Sequence, residues 1–255
     1  MTVEPDPRKV GLPQATRACL FDLDGVLTQT AKVHAAAWKQ MFDEFLRARS
    51  RNVGEPFVPF DPAADYQTYV DGKPRDDGTR AFLASRGVHL QEGTTQDPAG
   101  TDTVTGLGRR KNDIVLRKIH DEGVEVYPGS VRYLDACRAA GLAVAVVSSS
   151  ANTRAVLHVT DLARRVDVVV DAQVAARRKL AGKPAPDTFL AGADLLGVAP
   201  AHAAVFEDAL AGVAAGHGGH FAVVVGVDRV GHARALAEHG ADLVVNDLCD
   251  LLEQP

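Results

Sequence analysis

Residues 18–25, ACLFDLDG, join an apolar run to two aspartates and a glycine. The run predicts a buried strand, and open α/β sheets bind their ligands at the carboxyl ends of such strands. Asp22 and Asp24 are therefore expected at the sheet edge where ligands gather. There Asp22 is suited to act as a nucleophile, and Asp24, two residues on, as a general acid and base.

A surface turn is the alternative interpretation of this motif, because Asp and Gly are common turn formers. An EF-hand calcium loop beginning at Asp22 is disfavoured, since its fifth position needs an oxygen ligand and its sixth needs glycine. Val26 and Leu27 occupy those two positions. The aspartate pair by itself leaves catalysis and a plain turn open.

Composition indicates an ordinary globular protein that can bury a substantial core. The chain has 255 residues, of which 46% are hydrophobic, and a net charge of −5. This charge gives no basic footprint for nucleic acid, and we find neither an apolar run of membrane-spanning length nor a signal-peptide pattern in residues 1–16. We expect a cytoplasmic protein with no nucleic-acid or membrane partner. Cys19, Cys137 and Cys249 lack CxxC spacing and are expected to be reduced core thiols.

Two regions of the chain differ in their hydrophobic pattern. From Gly129 onward, apolar β-branched runs alternate with helix-like segments, which predicts parallel strands joined by helical crossovers. The expected strands after the first are residues 142–147, 166–170, 203–206, 222–225 and 243–245, and the expected helices between them include residues 154–162 and 187–196.

The other region shows helical periodicity at residues 34–46, 78–85 and 109–119, with polar loops expected at 49–62 and 92–108. The fold class is therefore α/β, a doubly wound parallel sheet with an inserted helical domain. We assign residues 1–30 and 125–255 to the sheet domain and 31–124 to the insert. Such an insert can act as a lid over the carboxylates.

Three further motifs follow predicted strands. Ser148, Ser149, Ser150 and Asn152 offer hydroxyls and amides to a phosphate, although a plain helix cap explains one serine equally well. Lys183 can neutralise a phosphoryl group, with a solvated loop lysine as the alternative. Glu207 and Asp208 can complete a magnesium site, although an acidic pair here also suits a helix start. Together these groups are what phosphoryl transfer requires.

These motifs resemble those of the haloacid dehalogenase-like phosphotransferases. The resemblance rests on DLDGV at residues 22–26, Ser148, Lys183-Pro184 and Glu207-Asp208, and it extends over residues 17–252. Within that family the chain is similar to the β-phosphoglucomutase branch, through residues of the insert. These are Thr30, His34 and Trp38 in TAKVHAAAW, Gly72 and Arg75 in DGKPR, and Lys111 in KND.

The resemblance implies a role for each of these positions. Asp22 would be the phosphorylated nucleophile and Asp24 the acid and base. Asp22, Asp208 and the backbone carbonyl of Asp24 would hold Mg²⁺ with help from Glu207. Ser148 and Lys183 would hold the transferring phosphoryl group. The rest of the substrate-binding set would be Thr30, His34, Trp38, Gly72, Arg75, Lys111, Ser149, Ser150 and Asn152.

Several roles within this set are more specific. Arg75, with Ser150 and Asn152 opposite, would grip the non-reacting phosphate, since a guanidinium binds phosphate with two hydrogen bonds. Lys111 would add a charge nearby, and His34 would couple lid closure to Asp24. For Trp38, packing is the alternative to sugar contact.

The resemblance also implies a reaction, an isomerisation of β-D-glucose 1-phosphate to glucose 6-phosphate through an aspartyl-phosphate. β-Glucose 1,6-bisphosphate would be its intermediate and activator, and the expected partner is a small phosphorylated sugar bound by a monomer. A sugar-phosphate phosphatase, in which water attacks the aspartyl-phosphate, is the alternative. A phosphosugar-binding regulator is the third interpretation, which the retained Asp22 and Asp24 disfavour.

Overall fold

The computed structural model describes residues 5–252, and within them six strands form one parallel sheet. The two ends of the predicted sheet domain, residues 1–4 and 253–255, lie outside the described residues. The strands are β1 (Ala18–Phe21), β2 (Ala143–Val147), β3 (Val168–Val170), β4 (Ala203–Glu207), β5 (Val223–Val227) and β6 (Leu243–Val245).

The helices follow in chain order. They are α1 (Thr30–Val53), α2 (Arg75–Ser85), α3 (Val104–Glu122), α4 (Pro128–Ala139), α5 (Thr153–Val159), α6 (Ala172–Arg178), α7 (Asp187–Leu196), α8 (Leu210–Gly218) and α9 (Ala233–Glu238). Short 3₁₀ turns and a π-helical turn at Tyr66–Val70 complete the described chain.

The strand order of the sheet is β3-β2-β1-β4-β5-β6. The order reverses between β1 and β4, which makes their carboxyl ends the switch point where open parallel sheets bind ligands. β1 pairs in register with both neighbours, so that Phe21 stands between Val146 and Phe206. The predicted doubly wound parallel sheet with a helical insertion is thereby confirmed.

Burial on both faces explains why β1 is central. All four of its residues are buried, as expected for a strand covered by helices on each side. The Phe21 ring stacks on Phe206 with 4.4 Å between centroids, and Tyr133 of α4 meets both rings edge-on. This aromatic cluster fixes β1 against β4 immediately below the acidic residues that follow both strands.

Contacts divide the described chain into two compact units. The first contains the chain up to Gln29 and from Val124 onward, and the second is Thr30–Gly123. The second unit has its own core, built from aromatic residues of α1 and α2. There the Phe42 ring stacks on Trp38 at 5.1 Å and lies 4.2 Å from that of Phe82.

The two loops predicted inside this second unit are shorter in the structure than in the sequence analysis. α1 continues to Val53, so the predicted loop at 49–62 is wrong over its first five positions, and α3 already begins at Val104. Thr103 explains the early start of α3, since its hydroxyl accepts the Gly106 N–H at 3.0 Å and caps the first turn. Gly106 and Gly108 lie in the first turns of α3, and because glycine is a poor helix former, a periodicity argument places the start of the helix too late.

Within the described part of the chain, no helix has the length and apolar character needed to cross a bilayer.

Truncating the core of the second unit should destabilise it strongly. Phe82 is fully buried, and we expect Phe82→Ala to lower the free energy of unfolding of residues 30–123 by about 3–5 kcal/mol, the usual cost of such a cavity. The chain contains a single tryptophan, Trp38, so urea unfolding followed by its fluorescence reports on this unit. Leu116→Ala, on an exposed position of α3, is the control and should cost less than about 1 kcal/mol; equal losses would contradict the prediction.

Candidate active site

Lys183 lies between two of the acidic residues at the switch point. Its ammonium donates to Asp22 Oδ1 and to Glu207 Oε1, both at 2.5 Å, and to the Val147 carbonyl at 3.2 Å. The Phe189 ring lies 4.7 Å from the same nitrogen. The carboxyl ends of β1, β2 and β4 are thus joined by one cation.

Burial and charge together set the protonation of this group. Burial raises the pKa of Asp22 well above its ordinary value; Lys183 opposes that shift, whereas Glu207 and Asp24 add to it. Burial alone would lower the pKa of Lys183, but Asp22 and Glu207 outweigh it and hold that pKa above its ordinary value. The Lys183 ammonium therefore stays protonated.

Two glycines allow the Asp208 and Glu207 side chains to approach the backbone closely. Gly25 has a φ of +98°, in the left-handed region, and a Cβ there would collide with the Asp208 carboxylate. A Cβ at Gly212 of α8 would likewise collide with Glu207. The second oxygen of Glu207 accepts the Ala209 N–H at 2.8 Å, which orients the acid at the start of that helix.

Ser148 connects β2 to the second aspartate of the motif. Its hydroxyl donates to Asp24 Oδ2 at 3.3 Å and accepts the Ser150 N–H at 3.1 Å. The Ser150 hydroxyl accepts the Asn152 N–H at 3.1 Å. These two amides, expected to face a phosphate, thus donate to serine hydroxyls here, and α5 begins only at Thr153. Ser149 lies between Ser148 and Ser150 in the same turn.

The predicted residues of the insert form two groups within the second unit. Lys111 is buried in α3, with its ammonium 2.9 Å from His34 Nδ1 and 4.7 Å from the centre of the Trp38 ring. Trp38 is itself buried. Arg75, at the start of α2, pairs with Asp76 at 3.3 Å and keeps about a third of its side chain exposed. Thr30 begins α1, and Gly72 lies in the turn before α2 with a φ of +69°.

One residue of the first unit was missed by the sequence analysis. Arg229 follows β5 and reaches the loop after β1, where it donates to the Gly25 carbonyl at 3.2 Å. The available signal was an arginine two residues beyond an apolar β-branched run.

A parallel sheet whose switch point carries several carboxylates, a lysine and a serine is typical of α/β enzymes that transfer phosphoryl groups. A family model of the haloacid dehalogenase-like hydrolases matches residues 16–220. The chain belongs to that family, which confirms the resemblance drawn from its motifs.

Individual relatives lie within a narrower group. A beta-phosphoglucomutase of Mycobacterium bovis is 59% identical over 248 residues, which cover 96% of this chain and 95% of that protein. A beta-phosphoglucomutase of Bacillus subtilis is 30% identical and covers 92% of this chain and 91% of its own. The crystal structure of a beta-phosphoglucomutase from Clostridium difficile matches with a TM-score of 0.72 at 24% identity, over 92% of this chain and 93% of that one. At that identity the structure shows the shared fold.

Membership of this family implies a requirement for Mg²⁺, and the donors at the switch point fit this ion. Mg²⁺ prefers oxygen ligands and keeps several waters, so it needs only one or two protein carboxylates beside a phosphate. Within residues 5–252, no group of three or more His, Cys, Asp and Glu side chains is arranged to enclose a metal alone. An open site whose donors are oxygens is what a hydrated Mg²⁺ requires.

The raised pKa of Asp22 gives a prediction about stability. The folded protein binds the Asp22 proton more tightly than the unfolded chain does, so ionising Asp22 costs stability at every pH above the ordinary aspartate range. We expect Asp22→Asn to raise Tm at neutral pH in Mg²⁺-free buffer, and the gain to disappear as the pH falls through that ordinary range.

The control for this measurement is an aspartate whose pKa shifts the other way. Asp61 is exposed, and the backbone N–H groups of Ala63 and Ala64 lower its pKa. Asp61→Asn should give no gain in Tm at neutral pH. A Tm for Asp22→Asn equal to or below that of the parent protein across the pH range would refute the charge argument.

Proposed function

We propose that this protein is a β-phosphoglucomutase, which converts β-D-glucose 1-phosphate into glucose 6-phosphate through β-glucose 1,6-bisphosphate. The observation that carries the proposal is the 59% identity to the Mycobacterium bovis beta-phosphoglucomutase along almost the full length of both chains. The contacts at the switch point support it, because they supply a nucleophile, an acid and base, and a cation within one cluster.

In the proposed cycle, Asp22 carries the phosphoryl group. The C6 hydroxyl of β-glucose 1-phosphate loses its proton to Asp24 and attacks phosphorus, so a sugar O–P bond forms and the Asp22 O–P bond breaks. The bisphosphate then turns round in the site. Asp22 attacks the phosphorus on C1, Asp24 returns its proton to the departing sugar oxygen, and glucose 6-phosphate leaves.

The contacts of the first unit fit these roles. Lys183 binds one oxygen of Asp22, which orients the carboxylate and leaves its other oxygen for attack. The Ser148 hydroxyl contacts Asp24 Oδ2 and restricts the position of the acid and base. Mg²⁺, when bound by Asp22, Asp208 and the Asp24 carbonyl with help from Glu207, supplies positive charge to the transferring phosphoryl group.

The insert supplies the proposed selectivity for a second phosphate. The exposed part of Arg75 offers a guanidinium to the non-reacting phosphate, with Ser150 and Asn152 as its partners in binding. Lys111 beside His34 adds a positive charge, and Thr30 and Gly72 complete this set. Trp38 supports Lys111 through its ring, and its burial favours packing over sugar contact.

A coupled assay tests the proposal directly. Pure protein, Mg²⁺, β-glucose 1-phosphate and a trace of the bisphosphate are incubated, and glucose 6-phosphate and free phosphate are measured in parallel. We expect glucose 6-phosphate to form with little free phosphate. Stoichiometric phosphate release would identify a phosphatase instead, and binding without turnover would identify a regulator; either result refutes the mutase.

The two aspartates should differ in what their loss removes. Asp22→Asn is expected to abolish turnover and phosphoenzyme formation, since the acceptor oxygen is gone. Asp24→Asn should lower kcat by about 10²- to 10⁴-fold, the usual contribution of general acid–base catalysis, with bisphosphate binding retained. Asp194→Asn, at an exposed position on α7, is the matched control. Equal loss of bisphosphate binding in both site variants would contradict these separate roles.

Arg75 should separate mutase from phosphatase chemistry. Arg75→Lys keeps the charge but loses the planar pair of donors, so we expect a raised KM for β-glucose 1,6-bisphosphate. Hydrolysis of a small monophosphate such as acetyl phosphate should not change, because it lacks a second phosphate. Arg47→Lys, a substitution in the same unit, is the control. An unchanged KM for the bisphosphate would remove Arg75 from the site.

A further inference from the structure

Arg229 uses all of its N–H groups on one small region of the first unit. Its side chain is only 13% exposed, and its guanidinium lies 3.8 Å from the centre of the Tyr127 ring. The five hydrogen bonds go to the carbonyls of Gly25 (3.2 Å), Val26 (3.4 Å) and Asn246 (2.8 Å), to Asp247 Oδ2 (3.0 Å) and to Ser130 Oγ (3.0 Å).

Two of these acceptors belong to the turn that carries Asp24. In that turn the Gly25 N–H donates to the Thr28 carbonyl at 2.7 Å, and the Leu27 N–H donates to the Leu23 carbonyl at 3.0 Å. The Val26 carbonyl accepts a second hydrogen bond, from Ser130 Oγ at 2.7 Å. Arg229 thus holds this turn through two of its carbonyls, and the Asp208 carboxylate approaches the same turn at Gly25.

Arg229 also touches the second of the two chain segments of the first unit that flank the insert. The Tyr127 N–H donates to the Leu27 carbonyl at 3.0 Å, and the Gln29 N–H donates to the Glu125 carbonyl at 2.8 Å. The two segments are therefore paired through their backbones. Because its guanidinium covers Tyr127 on one segment and binds Gly25 and Val26 on the other, Arg229 fixes both at once.

Asp228, the residue before Arg229, holds the turn from which the arginine projects. Asp228 accepts the N–H groups of four successive residues, Val230, Gly231, His232 and Ala233, at 2.7 to 3.1 Å. Burial alone would raise the pKa of Asp228, but these donors bring it below its ordinary value. The turn after β5 is thus held by one carboxylate, and the arginine leaves it in a defined direction.

We propose that Arg229 is a positioning residue for the phosphoryl transfer, acting through Asp24. By holding the Gly25 and Val26 carbonyls, it fixes the backbone from which the acid and base projects. This inference rests on the proposed role of Asp24. A lysine cannot replace it, because an ammonium has three donors and no planar fork to reach five acceptors.

The first test is Arg229→Lys, assayed for kcat and KM with β-glucose 1-phosphate. A displacement of about 1 Å can cost about 10²-fold in rate, so we expect kcat to fall by roughly 10- to 100-fold with KM unchanged. Arg17→Lys is the matched control, since Arg17 also donates to two backbone carbonyls, those of Gln14 and Thr16, and should keep the parent rate. An unchanged kcat, or a change confined to KM, would overturn the proposal.

A double-mutant cycle separates positioning from a general structural effect. If Arg229 acts through Asp24, then Arg229→Lys should slow the Asp24→Asn enzyme by less than about threefold, a strongly non-additive result. A merely structural role would give additive losses, and that outcome overturns the proposal. Should Arg229→Lys not be recovered folded, Asp228→Ala takes its place in the cycle, because it releases the turn that directs Arg229.

The double-mutant cycle tests the role of Arg229 independently of the proposed mutase activity. If the parent enzyme releases phosphate and no glucose 6-phosphate, the mutase proposal fails, and the same four proteins are compared by phosphate release. Non-additivity in that assay would still support Arg229 as the positioning residue of Asp24. Additivity would refute it whichever product is formed.

Discussion

The ion pair of Lys183 with Asp22 and Glu207 is the interaction on which the arrangement of the site depends. It is buried, and two carboxylates so close to each other would repel strongly if no cation stood between them. One ammonium brings the ends of β1 and β4 to a common point.

The sheet order gives this ion pair its place. β1 lies between β2 and β4, so the ends of all three strands come within reach of the one Lys183 ammonium. Glycine at positions 25 and 212 removes the Cβ atoms that would block Asp208 and Glu207. The strands therefore place each residue at the same edge of the sheet, and the two glycines leave room for the carboxylates there.

The sequence predicted the sheet well because parallel buried strands have a strong signature. The strand at 18–21 and the helix at 187–196 coincide with β1 and α7. The insert was predicted less well. The first turn of α3 contains a glycine, a poor helix former, and is held by the Thr103 cap. The π-helical turn at Tyr66–Val70 is too short to show an apolar period.

The candidate site shows the same division. Asp22, Ser148 and Glu207 were singled out because each stands at the end of an apolar strand, a position that is easily located in a sequence. Arg229 was not, because its importance comes from carbonyls some 200 positions earlier in the chain, at Gly25 and Val26. Hydrogen bonds to backbone leave no trace in the identity of the acceptor residue. Such contacts become visible only when the fold is known.

The central place of β1 has a consequence for biosynthesis. Its two partners begin at Ala143 and Ala203, so the first strand leaves the ribosome long before either neighbour exists. The segment Thr30–Gly123, which has its own core, is completed in the interval and can fold while translation continues. Until Glu207 has been synthesised, the apolar strand at residues 18–21 lacks one of its two neighbours, and this is the period in which chaperone binding to it would be most useful.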